Sequence, residues 1–472
     1  MGSIKKSMLH VLLVSFPGQG HVNPLLRLAK CLASKGLLVT FSSTQDIGQM
    51  MEDATNNTTT TANIGDGQLR FEFFSNGWES DEPKRNDMDS LTHQLETVGR
   101  DSLNQLINQQ AQLGRPPISC IINNPFLPWV VDLATDLGIP CAVLWVQSCA
   151  VYSIYYHYQH QLASFPTEDQ PDLSVDLPSF ERVEKPYGSL KKVILSQFKN
   201  LEKAFCVLVD SFEELESETI SAMSHLSAPI RPVGPLFKSQ NDVSVRGDMW
   251  KSSDDCLQWL DSQSPGSVVY ISFGSVVSLT KEQMEELGSG LLKSGMKFLW
   301  VIKPPSKKYG FGSEAPDGFV EAAESKGSLV VEWCPQEKVL AHPAVSCFVT
   351  HCGWNSSMEC LSSGVLVVAF PGWGDQVTNA KFLVDVYGVG VRMKKSTDEK
   401  GEVELVKSEE VVRCIVESMK GQKAVEMKKN VLKWKKAAEE AVAEGGSSYR
   451  NIQAFVDDIQ RMASDRLLSK NN

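Results

Sequence analysis

The chain has 472 residues, too long for one ordinary hydrophobic core, so two domains of similar size are expected. Hydrophobic residues at 42% and charged residues at 22% fit a soluble globular protein, and the formal charge of −11 argues against nucleic acid or an anionic membrane as partner. Local basic pockets for a diphosphate remain compatible with that charge. The 11 cysteines are scattered, odd in number and without a CxxC pair, which fits small apolar core residues in a reducing compartment. No apolar run approaches the ~18 residues that span a bilayer. The N-terminus lacks a signal-peptide pattern, and the myristoylation pattern after Gly2 fails by one place. The sequons at Asn57 and Asn355 carry little weight without a secretory signal. A cytoplasmic chain without stable membrane insertion is expected.

His10–Phe16 reads as a first strand, Pro17–His21 as a glycine loop and Asn23–Ser34 as a helix. The loop is GxGxxN and not the GxGxxG of dinucleotide-binding folds. An NAD-dependent oxidoreductase therefore has a weak claim, even with Asp46 near the place of a ribose-binding acid. Gly20 and its neighbour let the backbone approach a ligand, and His21 falls at the C-terminal end of a parallel strand, where open α/β sheets bind ligands. Strands are expected at Leu37–Ser42 and Leu69–Phe74, with a Thr/Asn-rich loop between them at Thr55–Gly67. Ser75–Asp89 reads as a solvated loop; its Asp87-Met88-Asp89 has the form of a metal-binding DxD, but no strand leads directly into it. A helix Ser90–Ala111, a strand Ile118–Asn123, a helix Phe126–Leu137, a strand Cys141–Val146 and an aromatic helix Ser148–His160 follow. Phe126, Trp129, Gln147 and Tyr152 are candidates for an acceptor pocket. Trp129 and Tyr152, like Trp145, Tyr155 and Tyr156, fit the core equally well. Phe165–Tyr187 is irregular and proline-punctuated, a candidate pocket wall. Phe205–Val209 and Glu213–Met223 form a further strand–helix pair, and Arg231 to Arg246 reads as an interdomain linker.

The pattern then restarts with a strand Val268–Phe273, a glycine turn at Gly274-Ser275 and a helix Thr280–Leu292. Strands at Phe298–Ile302, Leu329–Glu332, Val345–Thr350, Leu366–Phe370 and Val389–Met393 are expected to complete a second sheet. Between Val345–Thr350 and a helix Trp354–Ser363 the chain turns through His351, Cys352 and Gly353. Gly353 permits close approach of a ligand, and the N–H groups around Asn355 and Ser356 form an anion site at the helix N-terminus. His351 stands beside that site as a phosphate donor. Glu359, at i+4 from Asn355, suits two vicinal hydroxyls. Trp333 offers a flat face for a base, and Trp373, Asp375 and Gln376 offer donors and acceptors for sugar hydroxyls. Cys347, His351, Cys352 and Cys360 fall on different faces of this strand–turn–helix, so zinc is not expected. Helices Ser408–Met419, Ala424–Ala443 and Ser447–Met462 close the chain.

The stretch Trp333–Gln376 resembles the signature box of plant family-1 UDP-sugar glycosyltransferases, and the resemblance extends to the N-terminal PGQGHVNP. Two positions depart from the box: Leu366 stands where proline is usual, and Gly372 where glutamine is usual. The resemblance implies an α/β fold of GT-B type, two Rossmann-like doubly wound parallel-sheet domains facing a cleft. The acceptor domain would occupy residues 1–240 and the UDP-sugar domain 253–446, with 447–472 a helix returning to the first. Among donor contacts it implies Gly20, Ser275, Trp333, Gln336, His351, Gly353, Trp354, Asn355, Ser356, Glu359, Trp373, Asp375 and Gln376. It also implies a monomer acting on UDP-glucose and a small phenolic, without a metal or other cofactor.

In such enzymes a histidine, here His21, is oriented by an aspartate on a later strand and removes the acceptor proton. The position equivalent to that aspartate is Asn124, which cannot stabilise an imidazolium as an anion does. A carboxylic acid is already ionised at pH 7 whereas a phenol is not, so a carboxylate acceptor needs little base catalysis. The sequence is similar to the branch making glucose esters of hydroxycinnamic, gallic and limonoid acids. An inverting glucosyltransferase forming 1-O-glucose esters is therefore expected first, with O- or C-glucosylation of flavonoids or other phenols as the alternative. A non-catalytic sugar-nucleotide sensor would lose His21, which is present. Asp132 and Asp136 are the other acids near enough in sequence to orient His21.

Overall fold

Strand and helix alternate from His10 onwards, and the computed structural model describes residues 8–55, 60–79, 82–162, 190–239, 247, 249–250, 255–305, 312–397 and 404–470. Two units are present. The first takes in Met1–Ser164, Glu181–Trp250 and Glu440–Asn472, and the second Lys251–Glu439. Among the described residues no helix is long and apolar enough to cross a membrane. The reading of Phe165–Tyr187, and that of the segment 240–246, lie outside the described residues.

The first unit holds strands β1 (His10–Val14), β2 (Leu38–Ser42), β3 (Thr61–Ile64), β4 (Gly67–Phe71), β5 (Ile118–Asn123), β6 (Cys141–Trp145), β7 (Val207–Val209) and β8 (Ile230–Pro232). Their order is β3-β4-β2-β1-β5-β6-β7-β8. All neighbours are parallel except β3 and β4. β1, β2 and β6 are buried at every residue, which is why they read as unbroken apolar runs: helices cover both faces of a parallel sheet. The order reverses between β1 and β5, and ligands bind outside the carboxyl ends of strands at such a switch point. Register places Val14 level with both Ser42 and Asn123, so the loops after β1 and β5 leave from one edge.

Several elements differ from expectation: the helix expected at Ser90–Ala111 runs Met88–Gln112 with a π turn at Leu95–Gly99, and that expected at Phe126–Leu137 runs Trp129–Asp136. Thr61–Ile64 is an antiparallel edge strand inside the expected loop, because Gly65-Asp66 makes a two-residue hairpin turn closed by the Ile64–Gly67 pair. The first helix runs Gln19–Ser34, one turn earlier than expected, since the His21 and Val22 N–H groups both bond to Gly18 O. Asn23-Pro24 has the form of an N-cap followed by an N1 proline, yet lies inside the helix; His21 thus sits in its first turn. Arg231-Pro232 belongs to β8 and not to a linker, with Pro232 tolerated on an edge strand. The DxD-like Asp87 is the N-cap of the helix Met88–Gln94, accepting from Ser90 N–H.

The last helix, Ser447–Lys470, packs on β5 and β8. Asn451 Nδ2 donates to Pro232 O at 2.8 Å, and Phe455 stacks on Phe205 with centroids 5.7 Å apart and planes within 8°. Phe455→Leu keeps most of the buried volume and loses the ring pair. It is expected to cost about 1 kcal/mol, read as a lower urea midpoint.

The second unit holds β9 (Val268–Ser272), β10 (Lys297–Val301), β11 (Leu329–Val331), β12 (Val345–Thr350), β13 (Leu366–Ala369) and β14 (Gly390–Arg392), ordered β11-β10-β9-β12-β13-β14 and all parallel. Its switch point lies between β9 and β12. A short antiparallel ribbon pairs β15 (Ser396–Thr397) with β16 (Glu404–Leu405). The helix Lys281–Ser294 starts at its N-cap Thr280, whose side chain accepts from Gln283 N–H, and ends at Gly295 in the left-handed region. Gln283 then pins Val406 by donating to its carbonyl and accepting from its N–H, both at 3.0 Å.

Candidate active site

Each unit carries polar side chains at its switch point. In the first, β5 delivers Asn124 opposite the helix turn bearing His21. Asn124 is fully buried, and its Nδ2 lies 3.1 Å from His21 Nδ1. Its Oδ1 accepts from the Phe126 backbone N–H at 3.1 Å. The His21 ring is held edge-on between Phe16 and Phe126, at centroid distances of 5.1 and 4.6 Å. Burial pushes its imidazole down to about 4, against a gain from the Asn124 contact, so the neutral ring is the resting form. The other two acids are engaged elsewhere: Asp132 accepts from Asn200 and Lys203, and Asp136 pairs with Arg100. Asp46 does not serve a ribose; it is buried in an ion pair with Arg85 at 2.7 Å.

Of the acceptor candidates, Phe126 stands at His21. Gln147 follows β6 at the same sheet edge and is half-buried, its Oε1 without a partner among the described residues. Trp129 packs edge-on against Phe74, and Tyr152 lies against Trp145 and Phe198, 2% exposed. Those two rings serve the first unit's core in this structure.

In the second unit, β9 leads to Gly274-Ser275 and β12 to His351, with one glycine on either side of the His351 ring. A Cβ on Gly274 would lie 2.8 Å from its Cε1, and one on Gly353 2.5 Å from its Nε2. His351 Nδ1 is buried without a partner among the described residues, and burial pushes the ring down to about 4. The helix Trp354–Ser363 follows with Gly353 as N-cap and no side-chain cap hydrogen bond, and its first turn carries Asn355 and Ser356. Glu359 is buried one turn on. Gln336 donates to Glu359 Oε2 at 2.7 Å and to Ser356 Oγ at 2.9 Å, and accepts from Tyr270 O–H at 3.1 Å. Trp333, half-buried, follows β11. Trp354 is buried beneath the turn. After β13, Gln376 Oε1 accepts from Gly372 and Trp373 N–H, which shapes the loop. Asn379 donates to Cys352 O at 3.0 Å and to Asp375 Oδ2 at 2.9 Å, tying the two loops together.

Asn379, Tyr270 and Lys303 were not singled out in the sequence. The signal for Asn379 was its i+4 spacing from Asp375; Tyr270, inside a buried strand, carried none. Lys303 Nζ donates to Ser275 O at 3.1 Å, and burial pushes its amine down to about 8. No group of three or more possible metal ligands occurs among the described residues, and Cys347, Cys352 and Cys360 are separate buried thiols.

A neutral imidazole, a helix start without a side-chain cap, a buried carboxylate and an indole, all following strands of one sheet, suit a nucleoside diphosphate and its sugar. A family profile described as UDP-glucoronosyl and UDP-glucosyl transferase matches residues 209–412. Gallate 1-beta-glucosyltransferase 84A24 of Punica granatum is 55% identical over 98% of this chain and 90% of its own. Limonoid UDP-glucosyltransferase of Citrus unshiu is 51% identical over 98% and 92%. Os79 of O. sativa, solved in complex with UDP, superposes with a TM-score of 0.82 at 32% identity, covering 95% of this chain and all of that one. The chain belongs to this UDP-glycosyltransferase family, in the plant branch of the gallate and limonoid enzymes, and has the GT-B type of fold. That membership removes the oxidoreductase alternative.

Proposed function

We infer that the chain transfers glucose from UDP-glucose, with inversion, to the carboxylate of a small phenolic acid, giving a 1-O-glucose ester. The observation that carries this reading is the partner of His21, an amide where base catalysis needs a carboxylate. The gallate and limonoid relatives support it. The acceptor carboxylate contributes an electron pair to the anomeric carbon while the bond to the diphosphate breaks, and that pair leaves with UDP. No proton has to be removed. Phe126 and Gln147 flank the acceptor, and Gly20, in the first turn of the helix beside His21, leaves room for a ligand. On the donor side Trp333 stacks on the base and Glu359, held by Gln336, takes the ribose hydroxyls. His351, Ser275 and the N–H groups at Gly353, Asn355 and Ser356 meet the diphosphate over the floor formed by Trp354. These donors carry the developing charge, so the reading requires no metal or other cofactor. The setting is cytoplasmic, in keeping with 11 free, buried thiols, and one chain carries the whole residue set as a monomer.

The test is incubation with UDP-glucose and a panel of acids and phenols, with products identified by mass and by cleavage in mild alkali. Esters are cleaved and phenolic ethers survive; a product set of ethers alone would overturn the reading. Trp373, Asp375 and Gln376 are assigned to the sugar hydroxyls, so UDP-galactose is expected to turn over more slowly. Gln376→Ala should cost about 0.5–1.5 kcal/mol in kcat/KM, the worth of one neutral hydrogen bond. Equal turnover of the two donors would remove Gln376 from that role.

A further inference from the structure

The orientation of the Asn124 amide is fixed by its surroundings. A backbone N–H can only donate, so the Asn124 atom facing Phe126 N at 3.1 Å is the carbonyl oxygen, and the NH₂ group is the one facing His21. An amide NH₂ offers no acceptor. A proton on His21 Nδ1 would therefore set two donors against each other across 3.1 Å. The neutral ring must carry its proton on Nε2, which makes no hydrogen bond among the described residues. Turning the amide over does not relieve this, because its NH₂ would then face the Phe126 N–H. Asn124 is fully buried, so its amide is held by these protein contacts. Phe16 and Phe126 confine the ring from the sides.

We propose that His21 meets the acceptor as a fixed hydrogen-bond donor through Nε2–H, and that Asn124, itself locked by the Phe126 N–H, is the positioning residue imposing this tautomer and so selecting acceptors that arrive already ionised. The inference rests on the ester-forming reading and gives it a cause. A base must present a bare Nε2 to a hydroxyl, which needs a proton on Nδ1 and an acceptor beside it. A carboxylate has no proton to give up and four lone-pair sites to receive one N–H. The same ring that is the wrong tautomer for a phenol is the right one for an acid. In ester formation the Nε2 proton stays on His21 throughout. Only the carboxylate–carbon bond forms and the carbon–diphosphate bond breaks.

The experiment reads the tautomer directly. Protein labelled with ¹⁵N-histidine contains eight imidazoles, and the His21 signals are assigned by their loss in His21→Gln. The expected wild-type pattern at neutral pH is a protonated Nε2 and a bare Nδ1. Asn124→Asp is isosteric; one carboxylate oxygen keeps the Phe126 N–H and the other accepts from Nδ1–H. It should invert the pattern and free Nε2 as a base. Rates are then compared for an aryl-acrylic acid lacking hydroxyls and a phenol lacking a carboxyl. The phenol-to-acid rate ratio should rise ~10²-fold or more in Asn124→Asp, the scale of general base catalysis. His21→Gln, which keeps an N–H donor without a base, should retain more acid transfer than His21→Leu.

A wild-type Nδ1–H pattern would overturn the inference even if esters are the product, leaving the ester reading intact. An unchanged rate ratio in Asn124→Asp, with the tautomer inverted, would overturn the selectivity and keep the tautomer. Ether formation by wild type with Nε2 protonated would overturn both readings together. The wild-type spectrum needs no variant to fold, so the test does not depend on one.

Discussion

His351→Ala is expected to lower kcat by ~10²–10³-fold, the usual loss for one preorganised donor to a developing anion, with little change in KM for UDP-glucose. The ring is wedged between Gly274 and Gly353, and its Nδ1 has no partner among the described residues. A buried polar atom left in that state is costly unless something occupies it during turnover. Burial holds the ring near 4, so it acts as a neutral donor and its protonation should not shape the rate between pH 6 and 8. Gly274→Ala tests the same point without removing the imidazole. The new Cβ would meet the ring at 2.8 Å, and the left-handed Gly274 backbone disfavours any side chain, so the ring must shift. Both variants should share a low kcat. A raised KM with kcat intact would instead mean that His351 binds ground state and transition state alike.

Glu359→Ala should raise the KM for UDP-glucose ~10–100-fold and leave kcat within a few-fold, the worth of hydrogen bonds to a charged acceptor far from the reacting bond. Trp333→Ala should act in the same direction through lost stacking, ~1–3 kcal/mol. The two differ in what remains. Without Glu359 the Gln336 amide loses one partner but keeps Ser356 and Tyr270, so the anion turn stays in place and kcat with it. Isothermal titration with UDP alone separates these effects from chemistry. Unchanged UDP affinity in Glu359→Ala would place that carboxylate outside the ribose site.

The parts of the fold legible in the sequence were those whose signal is local. Val345–Thr350 and Trp354–Ser363 have the bounds expected of them, because a β-branched apolar run meets a glycine turn and the helix ends at Gly364 in the left-handed region. Ser408–Met419 has its expected bounds for a similar reason, alternating acidic and apolar positions at helical spacing. The start of the first helix was misplaced because Asn23-Pro24 imitates a cap, while the bonds that start it, from His21 and Val22 to Gly18, leave no residue-type signature. Strand Thr61–Ile64 was hidden by its Thr/Asn composition; only the Gly65-Asp66 turn announced it. At the candidate site the residue types were readable and their hydrogen-bond directions were not. Asn124 faces the ring with its NH₂ because a backbone N–H two residues on takes its carbonyl, and nothing in the residue type shows that direction. Asp46, Asp132 and Asp136 are ordinary carboxylates in sequence, and only their partners show where they are engaged.

The first unit is not continuous along the chain: it begins at the N-terminus and is finished by the helix Ser447–Lys470, which supplies Phe455 and Ile459 to the core around Val11, Leu208 and Phe205. During synthesis that helix is the last element to leave the ribosome. The second unit, contained in Lys251–Glu439, is complete before it. The residues of the second unit have therefore all been made before those that finish the first, although domains usually assemble from the N-terminus. A chain whose first 440 residues have emerged would hold the second unit whole and the first with the surface over β5 and β8 still uncovered.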